Sequence, residues 1–151
     1  MTKKIGLLTF HNNTNYGSWL QTYALYKSVA EMGYDIEVIN YFREVIPAEE
    51  LVTLKGIRDL WNKYQWDSIA LIKNIFRMQI QFQIDKRKYM KVSAKQYRRD
   101  NAKVLNSKYD VFLIGSDLVW DIRHAGNYTY LLDFADTDKV KISYAASYGY
   151  E

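Results

Sequence analysis

A chain of 151 residues, 48% hydrophobic and 25% charged, is long enough to bury a core as one ordinary domain, and this composition excludes intrinsic disorder. The absence of cysteine removes disulfides, thiolate metal sites and cysteine nucleophiles together, and suits a reducing compartment. The formal net charge of +4 hides an uneven distribution, because residues 73–108 carry eleven Lys or Arg against two Asp and so hold the whole basic excess. Such a stretch reads as a polyanion patch or as a solvated helix face followed by a loop.

The start, MTKKIGLLTF, has two lysines and a short apolar run, but the run stops at His11 with no small-residue cleavage site behind it. It reads as a mature cytoplasmic start. Lys4 to Phe10 is the first strand, rich in Ile and Leu as a strand buried on both faces of a parallel sheet requires. A helix is expected from about Ser18 to Met32, with Leu25, Val29 and Met32 on one face and Ala24 and Ser28 beside them. Gly33 closes that helix, since a residue just past the last turn often takes the left-handed conformation. YDIEVINYF resumes as a strand with Ile36, Val38 and Asn40 on one face. Strand, helix and strand within 40 residues make a βαβ unit, with a right-handed crossover expected.

From Glu44 to Tyr89 the pattern turns helical and irregular, with Pro47 and Gly56 as punctuation and Leu60, Tyr64, Ile69, Ile72, Ile75 and Phe76 as apolar contributors to two or three helices. The longest apolar neighbourhood, IALIKNIF, is broken by Lys73 and falls far short of the roughly 20 residues that cross a bilayer. No transmembrane segment is expected. Met90 to Arg99 reads as a short extended piece, and Asp100 to Leu105 as a short helix capped by Asp100. YDVFLI, bounded by Gly115, is the second buried strand, and VKISYAAS the last. The expected architecture is an α/β fold with an open, mostly parallel sheet and flanking helices.

In such sheets ligands lie beyond the carboxyl ends of the strands. Three places follow. In HNNTNYGSWLQ, Asn12, Asn13, Thr14 and Asn15 supply amides and a hydroxyl, and Gly17 lets backbone approach a ligand at a helix start; the same residues also suit Asx turns and an N-cap. In GSDLVWD, Gly115 permits a sharp exit and Ser116 or Asp117 can cap the next turn. An ionised Asp117 can accept from a substrate hydroxyl or act as a base, and Trp120 offers a flat face for a sugar ring or for packing. In SYAASYG, the small residues Ala145, Ala146 and Ser147 leave room at a strand end. No GxGxxG follows the first strand, and no GxxxxGK[ST], HExxH or paired-His spacing occurs, so no metal site is expected and a nucleotide-binding module is disfavoured. The aromatics Phe76, Phe82, Tyr89 and Tyr97 fall at core-helix spacings, and no nucleic-acid partner is expected.

TFHNNTNYGSWLQTYAL, YDVFLIGSDLVWD, YLLDF and KISYAASYG, in this order, resemble the amino-terminal half of the polysaccharide pyruvyl transferase family, whose members show TFHxAxNYGAxLQAYAL, GSDQVWN, YFLDF and KISYAASFG. KYMKVSAKQY is similar to the family's segment before the GSD strand, so the resemblance spans essentially the whole chain. Leu118 stands where the family has Gln, Asp121 where it has Asn, and Asn13 and Thr14 replace a small residue and its neighbour, changes that alter acceptor contacts. The resemblance implies the Rossmann-like lobe of a two-lobed fold like that of the B-type glycosyltransferases. It also implies a fragment lacking a carboxy-terminal domain that holds phosphoenolpyruvate through Arg and His.

By the same resemblance, the activity implied is transfer of a pyruvyl group from phosphoenolpyruvate to a sugar as a ketal, in exopolysaccharide or cell wall polysaccharide synthesis. The acceptor is a polysaccharide or a lipid-linked sugar, there is no cofactor besides the donor substrate, and the place of work is the cytoplasm or its inner membrane face. Asp117 is then the acceptor-side carboxylate and His11 a polar or acid–base group. Asn12, Asn15, Gly17, Ser18, Gln21, Gly115, Ser116, Trp120 and Ser147 shape the substrate cleft. The chain alone is expected to be inactive. The competing reading is a noncatalytic carbohydrate- or polyanion-binding α/β domain.

Overall fold

Four strands form one all-parallel sheet in the computed structural model, which describes residues 3–12, 15–43, 58, 62 and 66–149. Their order is β2-β1-β3-β4, with β1 at Lys4–Leu8, β2 at Asp35–Val38, β3 at Val111–Asp117 and β4 at Val140–Ala146. β1 and β3 lie side by side in the centre, in register from Ile5 opposite Val111 to Leu8 opposite Ile114. This is the open α/β sheet that the sequence predicts. Because every strand runs the same way, all four carboxyl ends lie along one rim.

Side chains alternate along the two central strands, so both faces need cover. On one face Ile5, Leu7, Val111 and Leu113 pack with Leu25 of helix α1, Tyr16–Glu31. On the other, Leu8, Phe10, Phe112 and Ile114 pack with Ala102 and Leu105 of a 3-10 helix, Arg99–Ser107, and with the chain from Val119 to Ala135. Gly6 sits between, where a Cβ would lie 2.8 Å from Ile39 Cδ1 and 2.9 Å from the Tyr109 ring. Only glycine lets those two side chains cross β1 so closely.

Helix α1 begins two residues before Ser18 because Asn15 caps it, its side-chain oxygen accepting from Gly17 N–H at 2.8 Å and Ser18 N–H at 3.2 Å. It ends as expected, with Gly33 at φ 87°. Met32 departs from the expectation: it is the C-cap and is 71% exposed, beyond the last turn that packs on the sheet.

Helix α2, Trp66–Tyr89, occupies the end of the irregular region. The expectations at Pro47, Gly56, Leu60 and Tyr64, and at the side chains of Ile72 and Ile75, fall outside the described residues. Phe76 is exposed rather than an apolar contributor, while Phe82 and Met90 further along are buried. The segment after α2 is extended as predicted, with Val92 bridging Val38 and Tyr97 bridging Tyr41. Asp100 does not cap the 3-10 helix. It lies in the first turn, and the Asn101 side chain instead accepts from Arg98 N–H at 2.9 Å.

The strand YDVFLI does not stop at Gly115. β3 runs on through Gly115 and Ser116 to Asp117, because β4 pairs with it that far. A Cβ on Gly115 would fall 1.8 Å from the Tyr144 carbonyl oxygen, so the glycine serves close strand approach rather than a sharp exit. β4 is the edge strand, with Val140, Ile142 and Tyr144 exposed. An apolar groove of about 720 Å³ runs between α1 and β4, with Leu25, Val29, Ile142 and Tyr144 among its walls. Among the described residues no helix is long and apolar enough to cross a membrane.

Candidate functional site

Parallel pairing of β1 and β3 sends both of their carboxyl-terminal elbows to the same rim, and the two elbows touch. Ser18, in the first turn of α1, donates its hydroxyl to Asp117 Oδ2 at 3.2 Å. The other carboxylate oxygen of Asp117 accepts from Leu118 N–H at 2.9 Å, a local bond that holds the side chain turned back over its own loop. Asp117 has φ 83°, a conformation that residues with a Cβ seldom take and that clusters at functional sites. It makes no ion pair with the described residues, so its carboxylate keeps acceptor capacity for an incoming hydroxyl.

The end of β4 completes this corner. Ser147 N–H donates to Asp117 O at 3.0 Å, and Trp120 N–H donates to Ser147 O at 3.2 Å. This zips the GSD elbow to the last elbow and brings the rings of Trp120 and Tyr148 within 5.5 Å, tilted at 47°. Tyr148 is 60% exposed and Trp120 half-buried, giving an aromatic ledge on the two elbows that meet at Asp117. Tyr148 is the residue that sequence reasoning passed over; its position one residue past Ser147 at a strand end was the available signal. Ser116, buried under the elbow, and Gln21, on the exposed side of α1, both line the apolar groove rather than the corner itself.

Not every expected residue joins the corner. Asn15 spends its side-chain oxygen on the α1 cap, and Gly17 sits exposed beside it. The turn that Ser116 or Asp117 was expected to cap is capped by Asp121, which accepts from Arg123 N–H at the start of helix α3, Ile122–Ala125. Hydrogen bonds from Arg123, joined by His124, hold the Asp121 carboxyl far below the usual range. His124 is thereby tied to a structural carboxylate. Among the described residues no cluster of three metal-ligating side chains exists.

His11 and Asn12 belong to a second cluster. His11 is 3% exposed, and its Nδ1 lies 3.1 Å from Thr9 O. Burial and the charge of Lys86 push the imidazole down to about 4, so it is neutral at pH 7 and closed to a sugar hydroxyl. Asn12 donates to Asn40 Oδ1 and to Tyr41 O, both at 3.1 Å, and accepts from Lys86. The structure thus divides the first elbow: His11 and Asn12 turn toward β2 and α2, and Ser18 turns toward Asp117.

The family model for polysaccharide pyruvyl transferase matches residues 15–151, which include the Asn15 cap, Ser18, the GSD elbow and the end of β4. The chain belongs to the polysaccharide pyruvyl transferase family. A comparison with curated proteins finds no match. Of the positions where the chain differs from the family's pattern, Asp121 does the work of a cap that Asn also performs. Leu118 packs against the buried core, and a Cβ at Gly149 would meet its side chain at 2.5 Å. Both lie outside the Ser18–Asp117 contact. Asn13 and Thr14 are outside the described residues.

Proposed function

We propose that this chain is the acceptor-side domain of an enzyme that transfers a pyruvyl group from phosphoenolpyruvate to a sugar, and that the Asp117 corner receives the sugar. Membership of the polysaccharide pyruvyl transferase family supports the reaction class. The observation that carries the site is the Ser18–Asp117 contact, which joins two elbows at one rim and leaves the carboxylate without an ion pair among the described residues. In the reaction one sugar hydroxyl adds to the enol carbon while the methylene carbon takes a proton. A second hydroxyl then displaces phosphate at the same carbon, closing the ketal and releasing inorganic phosphate. Asp117 takes the proton from an attacking hydroxyl, Ser18 holds the carboxylate in place, and Trp120 with Tyr148 stacks on the ring.

No Lys or Arg among the described residues touches Asp117. Holding the donor's carboxylate and phosphate needs such cations, and we assign that task to a further α/β domain. The acceptor, polysaccharide or lipid-linked sugar, is met in the cytoplasm or at the inner membrane face. The test is phosphoenolpyruvate-dependent phosphate release, with the ketal methyl followed by NMR, for the native gene product and for this chain alone. Turnover by the former and none by the latter is the expected result. Turnover by this chain alone would overturn the division of labour. Unchanged turnover in Asp117→Asn would remove Asp117 from the reaction.

A further inference from the structure

Residues 73–108 hold the basic excess of the chain, and on the described surface nearly all of its Lys and Arg side chains point into solvent. Lys86 is the exception. It is 4% exposed, and its one hydrogen bond among the described residues goes to a neutral acceptor, Asn12 Oδ1. Burying an ammonium without a counter-charge is costly, and Lys86 keeps two N–H donors with no partner among the described residues. The cost registers in its acidity: burial, with Arg87 adding like-charge repulsion, pushes the ammonium down to about 8.

Lys86 lines a cleft of about 490 Å³ beside the carboxyl end of β2, together with Asn40, Arg87, Lys91 and Ser93. No carboxylate is among the lining residues. Lys91 is paired with Asp35 at 2.8 Å, whereas Arg87 makes no ion pair with the described residues. Asn40 accepts from Asn12 through its side-chain oxygen, and its amide N–H groups make no hydrogen bond with the described residues. Among the described residues the cleft therefore has a buried cation and free donors, and no anion to compensate them.

We propose that this cleft binds a small oxyanion, a phosphate or carboxylate group, held by the Lys86 ammonium, the Arg87 guanidinium and the Asn40 amide. The site is separate from the Asp117 corner and does not depend on the reaction proposed for it. It gives the basic segment a definite task. Burial and, after it, the charge of Lys86 keep His11 neutral, and a bound anion offsets the Lys86 charge, so occupancy raises the His11 pKa toward its ordinary value.

The test titrates the chain with inorganic phosphate, with acetate and with heparin at constant ionic strength, following melting temperature and the two histidine ring signals by NMR. Saturation by phosphate or acetate, with an upward shift in the His11 titration, is expected, and the better of the two names the anion. Lys86→Gln should weaken binding at least tenfold, Arg87→Gln less, and Arg77→Gln, exposed earlier on α2, not at all. Lys86→Met separates the site from a mere tether of Asn12. An anion site predicts that this variant melts no lower than the parent without phosphate and loses the phosphate-induced rise, whereas a tether predicts a lower melting temperature. A tether result, a response to heparin alone, no saturable response, or equal binding by Lys86→Gln would overturn the proposal.

Discussion

Ser18 Oγ and Asp117 Oδ2 lie 3.2 Å apart although 99 positions separate the two residues. The contact exists because β1 and β3 are parallel neighbours, and it ties the start of α1 to the end of β3. In the native gene product, Asp117→Asn keeps the shape of the elbow and removes the charge. Phosphoenolpyruvate-dependent phosphate release should fall on the order of 10²-fold to 10⁴-fold, the range for loss of a positioned acid–base group. Ser18→Ala removes one hydrogen bond of about 1 kcal/mol and should cost roughly fivefold. If the two residues act together, the double variant should be no worse than Asp117→Asn alone, which steady-state kinetics will show.

Gly115 and Gly33 both have positive φ, at 129° and 87°, but their surroundings differ. Nothing lies within 4 Å of a Cβ at Gly33, so Gly33→Ala should cost about 1 kcal/mol, the strain of the backbone conformation alone. At Gly115 the new methyl would stand 1.8 Å from Tyr144 O, and β4 would have to leave β3. That variant should lose on the order of 3 kcal/mol or more. Urea unfolding of the two variants side by side checks the ranking; equal costs would mean that the β3–β4 approach is looser than described.

The elements that were legible in the sequence are those fixed by neighbours along the chain. The Ile and Leu run of β1, the Gly33 stop and the YDVFLI run each carry their own period or breaker, and each is found in place. What was misread depends on contacts with distant residues. Gly115 looks like a breaker in isolation, yet its reason is Tyr144 on the next strand. Met32 fits the apolar stripe of α1 by spacing, but the helix runs out of sheet to cover before reaching it. The site divides in the same way. The rule that ligands gather at strand ends singled out Asp117 and Ser147, which the structure brings together, whereas no pattern in the sequence joins His11 to Lys86.

Asn15 tests whether the first elbow serves the helix or a ligand. Its side-chain oxygen caps two N–H groups of α1, so Asn15→Ala should lower stability by about 1 kcal/mol, and Asn15→Asp, which also caps, should retain it. Thermal unfolding measures both. Asn15→Ala as stable as the parent would mean that the cap contributes nothing and that the residue is held for another purpose.

His11 gives the fold a pH dependence with a definite window. Burial, with Lys86 as the next cause, lowers its pKa in the folded chain from 6.5 to about 4. Between those values the unfolded chain binds a proton that the folded chain does not. Stability therefore rises with pH across the window, is complete above 6.5, and is lost as pH falls toward 4. The gap corresponds to about 3 kcal/mol. His11→Gln, which leaves His124 as the one remaining histidine, should flatten the rise between pH 4 and pH 6.5 in a series of urea unfolding curves. A slope unchanged by His11→Gln would show that the imidazole exchanges protons freely in the folded state, contrary to its burial beneath Lys86 and Arg43.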